Sequence, residues 1–480
     1  VYYFLSIEGD DGLRIGTRVD TGTPTAIFNS GDYYYHDEID NENTLHSGRA
    51  WYQSNFDTQL TQTFDFDLLG LEPNSSFLLK SAVMARAYGE DVTFSAQLNG
   101  LNVGEHTVRK NSTSSAYYGM TGYNDVLDFT LLSSSYSNTT TYRYQLTFSE
   151  DSFSDKVGLP WQTRGYFNYL TVHYKRLLNS DGGQYSFLNF EALDNSVSSY
   201  DFVGIPSVVW DISDPVFPLT VPLANGRVVE DGNELHNYMV VFGASFKTPL
   251  SVKFIDNQNL HGHSTPDLIV VSSEELLASA SSYASYKEEM GYDVQVVTTS
   301  QIYNEFSSGN MDISAIRDYV KMLYDHAPSK LKNLALFGST SYDFKNNMTG
   351  NLNHVPIYQS IESLHNVKSY SSDDFYGFLA DGDGEWQENS IGNHDMAIGV
   401  GRIAARTNDE AEAFLAKLKH YENSPTTFGD WRSRIGFLAD DGDNNLHIRD
   451  ADRLATYVEN NEGQVRLSKL YLDRYDQLVE

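Results

Sequence analysis

Cysteine is absent from all 480 residues. Its absence excludes disulfide scaffolds, thiolate metal sites and any cysteine nucleophile within these residues. Positive charge is scarce as well: 33 Lys and Arg face 65 Asp and Glu, a net charge of −32 with an isoelectric point near 4.6. A chain so acidic repels phosphate, which argues against nucleic-acid binding as a main activity and against adsorption to an anionic membrane. No apolar run approaches the roughly 20 residues that cross a bilayer. Val1-Tyr2-Tyr3-Phe4-Leu5 is too short and too uncharged for a signal peptide. It begins inside what reads as a strand, and Leu478-Val479-Glu480 closes without a stop signal, so the expectation is a piece of a longer protein.

Against these absences stand 40% hydrophobic residues, 33 Tyr and 26 Phe, too many for a disordered acidic chain. Aromatic side chains fit a half-buried pleat and point to β-sheet. At about 100–200 residues per domain, the length predicts several domains. Up to about residue 265 the hydrophobic period is two, clearly so in residues 142–148 and 166–174. Residues 91–98 followed by Asn99-Gly100 predict a strand entering a type I′ hairpin turn. Long helical periodicity is missing from this part. The reading is antiparallel, sandwich-like β structure over 1–179, with a break near Ser180-Asp181-Gly182-Gly183. A second small β domain and linker fill 180–265.

From Pro266 to residue 480 the pattern alternates strand and helix. Leu268-Ile269-Val270-Val271 suits a strand buried on both faces. Residues 274–290 read as a helix with Gly291 as its C-terminal cap, and 294–297 as the next strand. Asp312 can cap a helix whose Ile313, Ile316, Val320 and Leu323 share one face. Residues 334–338 and 396–400 read as the third and fourth strands. Thr407 and Glu410 have capping-box spacing before a helix ending near Tyr421. Residues 435–439 give a fifth strand, and a helix runs from about His447. Such alternation predicts a mostly parallel sheet with helices on both sides. Chemistry would then sit in the loops after Phe337, Val400 and Ala439, at the carboxyl ends of strands.

His261-Gly262-His263-Ser264 offers two imidazoles to a metal or as a base. With no further ligand at metal spacing, it reads as a solvated interdomain linker. Asp381, Asp383 and Glu385 alternate with glycine in a manner that suits calcium, though without the full EF-hand pattern, and read as a solvated turn. Asp440-Asp441-Gly442-Asp443-Asn444-Asn445 follows a strand at its carboxyl end, which leaves a solvated turn and a functional role both open. Gly338-Ser339-Thr340-Ser341 lacks the Gly-Lys-Ser/Thr ending of a phosphate loop. No Gly-x-Ser-x-Gly elbow supports Ser339 or Ser341 as a nucleophile. Arg402 can clamp a carboxylate or pair with a neighbouring acid.

A series of segments carries a resemblance. Asn257-Gln258-Asn259-Leu260-His261-Gly262, Pro266-Asp267-Leu268-Ile269-Val270, Ser371-Ser372-Asp373-Asp374-Phe375-Tyr376-Gly377, Ile398-Gly399-Val400-Gly401-Arg402 and Ala439-Asp440-Asp441-Gly442-Asp443-Asn444 occur in order. Together they resemble the gingipain-like (C25) cysteine peptidases, and within them the cell-surface sortases of the Bacteroidetes type IX secretion system. Gly48-Arg49-Ala50-Trp51-Tyr52 resembles the β-rich region that precedes the peptidase in that group.

The resemblance implies a caspase-like α/β fold and a cysteine endopeptidase needing no cofactor. Such an enzyme removes C-terminal sorting domains from cargo and transfers the new carboxyl end to anionic lipopolysaccharide, through a thioester. It implies a catalytic Cys and His beyond residue 480, distinct from His261 and His263. By alignment Asp441, with Asp440 as runner-up, takes the place of the carboxylate that orients the active His. Asp443 and His447 fall beside the substrate pocket. Implied partners are cargo with C-terminal sorting domains, the outer-membrane β-barrel PorV and anionic lipopolysaccharide, at the cell surface. The rivals are a Cys-free binding or assembly module of the same family and a calcium-stabilised adhesin.

Overall fold

The computed structural model describes residues 4, 12, 14–112, 118–136, 139–154, 162–232, 234–384 and 394–476. Its first β unit follows directly from alternation. Strands Thr61–Asp67, Thr141–Phe148, Val92–Leu98 and Leu101–Val108 form one antiparallel sheet. Strands Ser30–Glu38, Arg164–Leu177, Ser76–Arg86 and Tyr123–Leu132 form the other. Alternate side chains from both sheets, among them Phe64, Phe66, Phe94, Tyr144 and Phe167, share one core. The rings of Phe64 and Phe167 lie 3.9 Å apart between centroids, and those of Phe94 and Phe148 4.8 Å. Each fully buried side chain of this size contributes roughly 1.5–3 kcal/mol. The hairpin turn is present, with φ of 49° at Asn99 and 80° at Gly100. Two successive positive φ values are what a type I′ turn demands.

One polar line crosses this core. Ser81 Oγ lies 3.1 Å from His106 Nε2, and His106 Nδ1 lies 2.9 Å from Asp125 Oδ2. Ser81 and Asp125 belong to one sheet and His106 to the other. Both Ser81 and His106 are fully buried, so the line ties sheet to sheet and offers no nucleophile to a substrate. Its hydrogen bonds satisfy groups whose burial would otherwise cost about 1–3 kcal/mol each.

The second β unit takes strands from before the first. A five-stranded sheet is ordered Gly16–Thr17, Leu219–Thr220, Val208–Asp211, Tyr238–Val241 and Gln184–Phe187. A three-stranded sheet is ordered Arg227–Asp231, Val197–Asp201 and Ala26–Phe28. Both N-terminal strands join in parallel. Arg18 anchors this return by ion pairs to Asp20 and, at 2.5 Å, to Asp211. The first β unit is therefore inserted in sequence between residues 28 and 184 of the second.

The third unit is an α/β layer. Its four strands, in the order Val294–Thr298, Leu268–Ser272, Asn333–Phe337 and Gly399–Ile403, are all parallel. Ile269, Val271, Leu334 and Leu336 face the Ile313–His326 helix through Ile316, Val320 and Leu323. Leu268, Val270, Ala335 and Phe337 face the opposite way, onto the Leu277–Glu289 and Asn408–Asn423 helices through Ala280 and Ala411. Cover on both faces is why these strands read as unbroken apolar runs. The Asp312 carboxylate accepts from the Ser314 amide at 2.7 Å, and Gly291 takes φ 97° past the Leu277–Glu289 helix. Thr407 caps Glu410 as expected, but Glu410 returns its bond to the Arg406 amide.

Two expectations need correction. The fourth strand runs Gly399–Ile403 and not 396–400, because Ile398 sinks into the core and the Ala397 amide bonds Gly377. The fifth strand, Arg434–Ala439, does not join the four-stranded sheet. The crossover through the Gly442–Asn461 helix lays Arg466–Tyr471 parallel beside it as a separate pair. Regular helix there starts past Asn445, near His447 as expected, since Asp443, Asn444 and Asn445 take left-handed conformations at φ 52°, 55° and 61°.

Burial lowers the pKa of His106 despite its bond to Asp125. The unfolded chain takes up this proton near pH 6.5, at about the ordinary histidine value. The folded chain takes it up only at lower pH, so the contribution is whole above that value and is lost as pH falls below it. Melting followed from neutral to mildly acidic pH should show Tm declining, with a shallower decline in His106→Gln. Parallel slopes for both proteins would refute the assignment.

Candidate functional site

From Leu268–Ser272 the chain moves outward to Val294–Thr298, then crosses back to Asn333–Phe337. Sheets wound this way hold ligands outside the carboxyl ends of the strands where direction reverses. Here that crevice lies beyond Ser272 and Phe337, and His354 fills it. His354 Nδ1 is 2.9 Å from Ser273 Oγ, its Nε2 is 3.2 Å from the Arg406 carbonyl oxygen, and its amide bonds the Ser339 carbonyl. Nε2–H donates to that carbonyl, which leaves Nδ1 to accept the Ser273 hydroxyl proton. Gly338 permits the approach: a Cβ there would stand 2.6 Å from the His354 Cβ, at a φ of +145°. Ser273 is 5% exposed, so the pair fastens the loop to the sheet. Its own backbone N–H, donating to the carboxylate, is the largest influence holding the neighbouring Glu275 carboxyl below its usual range.

Arg402 secures the same loop from below. It lies inside the Gly399–Ile403 strand and not after it, since the strand starts later than its sequence pattern. Its guanidinium grips Asp373 bidentately at 2.6 and 2.8 Å. It also donates to the carbonyls of Gly338 at 3.0 Å, Val355 at 2.8 Å and Pro356 at 3.2 Å. Of the two expectations for Arg402, pairing with a neighbouring acid is the one realised. Ser341 serves the turn of this loop, its Oγ accepting from the Asp343 amide.

Beyond Pro356 the loop reaches the first β unit. The Gly48 amide donates to Gln359 Oε1 at 3.0 Å, Arg49 Nε to the Gln359 carbonyl at 2.8 Å and the Arg49 amide to Ser363 Oγ at 2.7 Å. Leu364 packs among Tyr52, Met84 and Tyr166. The Tyr342 ring stacks on Trp51 at 5.8 Å and on His46 at 5.0 Å. Gly48 has φ +75° and no space for a side chain, since a Cβ would lie 2.8 Å from Ser363 Cα.

Of the residues singled out by sequence, Asp440, Asp441, Asp443 and His447 share one exposed turn at the carboxyl end of Arg434–Ala439. Asp441 is the N-cap residue of the following helix, and His447 Nε2 lies 3.3 Å from Asp443 Oδ2. Short Asp and Asn side chains tolerate the left-handed backbone between them. Asp381 and Asp383 stand apart from this turn in their bonding. Asp381 pairs with Lys321 at 2.9 Å. Asp383 is buried between His394 Nδ1 and the Ala380 amide, each at 2.9 Å. Glu385 lies outside the described residues, among which no group of three or more acidic or imidazole side chains is set to hold a metal ion.

The His261 segment is not a solvated linker. Asn259 caps a short turn there, and Leu260 is buried in the α/β core. The His261 ring stacks on Phe306 at 4.6 Å and its Nδ1 meets Glu305 at 2.7 Å, while His263 Nδ1 meets the Tyr319 hydroxyl at 2.9 Å. Partial burial opposes the charge on Glu305, but donors from Leu260, Gln258 and His261 outweigh it and hold the carboxyl below its usual range.

Residues 261–479 match the profile of peptidase family C25. Over those residues the chain is similar to that family. Its fold superimposes on dimeric latent PorU from Porphyromonas gingivalis with a TM-score of 0.71, at 22% identity, over 88% of this chain and 40% of that one. The chain thus spans about 40% of the length of that PorU. The Arg-specific cysteine proteinase gingipain R aligns over 45% of this chain and 43% of its own at 15% identity, with a TM-score of only 0.32. No curated protein matches.

In this PorU-like fold Arg402 and Gly48 are the two points on which the strap between α/β layer and sandwich turns. Removing the Arg402 side chain leaves a half-buried carboxylate at Asp373 unpaired, and Arg402→Ala should lower stability by about 3 kcal/mol, read by chemical unfolding. A cost under about 1 kcal/mol, the range of a surface pair, would contradict this. Gly48→Ala should leave both units folded but speed amide hydrogen exchange in residues 358–370. Unchanged exchange there would show that the contact does not hold the strap.

Proposed function

We propose that this chain is part of a cell-surface sortase of the type IX secretion system. In this reading it belongs to a cysteine endopeptidase that cleaves C-terminal sorting domains from cargo and passes the new carboxyl end to lipopolysaccharide. The C25 match over residues 261–479 supports the peptidase chemistry, and the PorU fold supports the narrower choice. The observation that carries the reading at residue level is the Asp440-Asp441 pair at the carboxyl end of the Arg434–Ala439 strand, leading into a helix. A carboxylate there would accept a hydrogen bond from the catalytic imidazole, fix its tautomer and stabilise its charged form. Asp443 and His447, on the same exposed turn, would border the substrate.

The chemistry requires a thiolate, and none of the 480 residues supplies one. The thiol and its histidine would come from residues of the encoded protein outside this sequence. Attack on the scissile carbonyl forms a thioester and expels the sorting domain as an amine. An amine of the acceptor, or water, then releases the thiolate. Anchoring at the surface would go through the β-barrel PorV; no described helix is long and apolar enough to cross a membrane.

A second reading, a non-catalytic binding or assembly module of the same family, is favoured by the absence of cysteine. Alkylation of the full encoded protein with iodoacetamide separates the two: the sortase loses all cargo cleavage, whereas a module has none to lose. Within an active enzyme, Asp441→Asn should lower kcat by roughly 10²–10⁴ with KM little changed. Cargo processing at the wild-type rate in that variant would remove Asp441 from the mechanism.

A further inference from the structure

The outer face of the sheet that contains Ser30–Glu38 and Arg164–Leu177 presents an ordered platform unrelated to the peptidase reading. Register aligns Tyr34 with His173, His36 with Thr171 and Glu38 with Tyr169 across the two strands. Tyr34 is 64% exposed and stacks on His173, with centroids 6.1 Å apart and planes at 29°. The His36 ring leans on Tyr169 at 5.7 Å. Its Nδ1 lies 2.9 Å from Thr171 Oγ1 and its Nε2 3.1 Å from Glu38 Oε2. Beside Thr171 on the next strand stands Lys80, 3.6 Å from Asp128. Two tyrosine rings are thus held in place by imidazoles, bordered by hydroxyl, ammonium and carboxylate groups.

The make-up of this face selects its ligand. Protein interfaces have cores depleted of charge, and this face has charged groups at its centre. A polyanion is disfavoured, because the chain around the platform carries −32. Lys80 is matched by Asp128, and Glu38 is engaged by the His36 ring, so the platform carries little net charge of its own. An uncharged ligand with apolar ring faces and many hydroxyls complements it. The tyrosine faces take the rings, and the border takes the hydroxyls. Tyr34, His36, Glu38 and His173 are exposed in succession along these two strands, which suits a chain and not a single sugar. One end of the same face, at Met84 and Tyr166, is already closed by Leu364, so the open part begins where the contact with the α/β layer stops.

We propose that this platform binds a neutral polysaccharide chain, with Tyr34 and Tyr169 as its stacking residues. Affinity electrophoresis of the full encoded protein in gels containing laminarin, xylan or yeast mannan, with alginate as the anionic comparison, tests it. At least one neutral polymer should retard migration, with the association constant reduced about tenfold by Tyr34→Ala and by Tyr169→Ala. Tyr34→Phe should keep binding, as should Tyr421→Ala at an exposed ring elsewhere on the surface. Absence of retardation by every neutral polymer would overturn the proposal. So would retardation by alginate alone, or binding that survives Tyr34→Ala and Tyr169→Ala unchanged. None of these results bears on cargo cleavage, so this proposal can fail without the sortase reading and survive without it.

Discussion

The guanidinium of Arg402 is the constraint from which the arrangement around the parallel sheet follows. Projecting from a strand at the edge of the sheet, it meets Asp373 and three loop carbonyls. Bidentate pairing fixes direction as well as distance, which an ammonium on a flexible stem cannot do. With the loop base fixed, His354 reaches Ser273 and Arg406, and the loop beyond Pro356 meets the sandwich at Gly48 and Arg49. A polar side chain in one strand thereby determines how two differently built units meet.

The parallel sheet and the exposed acidic turn divide the labour. In the four-stranded sheet the crevice that usually receives a ligand is closed by the protein's own imidazole. The Arg434–Ala439 and Arg466–Tyr471 pair keeps its carboxyl end open to solvent, with Asp440, Asp441, Asp443 and His447 around it. The same winding rule thus yields one structural plug and one candidate for chemistry. Burial separates them: Ser273 has no access to substrate, whereas Asp440 and Asp441 are exposed.

Local patterns carried much of the fold. Alternation in residues 142–148 and the Asn99-Gly100 turn are properties of a few consecutive residues, as are the Asp312 cap and the apolar run at Leu268. Each was therefore readable before any tertiary contact formed. Two apolar demands compete at residues 396–403, since a core-filling Ile398 and a strand look alike in one dimension, and there the strand boundary was misplaced. The His261 segment departs from a solvated linker for a related reason, because its packing on Phe306 and Tyr319 depends on residues far along the chain. Ser273–His354 and Ser81–His106–Asp125 have no local signature at all. The place of Asp440 and Asp441 after a strand is visible in the sequence, while the exposure of their turn belongs to three dimensions.

The return of residues 16–28 into the sheets of 184–241 has a consequence for synthesis on the ribosome. These short strands emerge first, yet their partners are translated only after the whole first sandwich. Until then they are unpaired edges, open to wrong association, and the closure they await spans a long stretch of intervening chain. Maturation of the second β unit is therefore gated by completion of its neighbour.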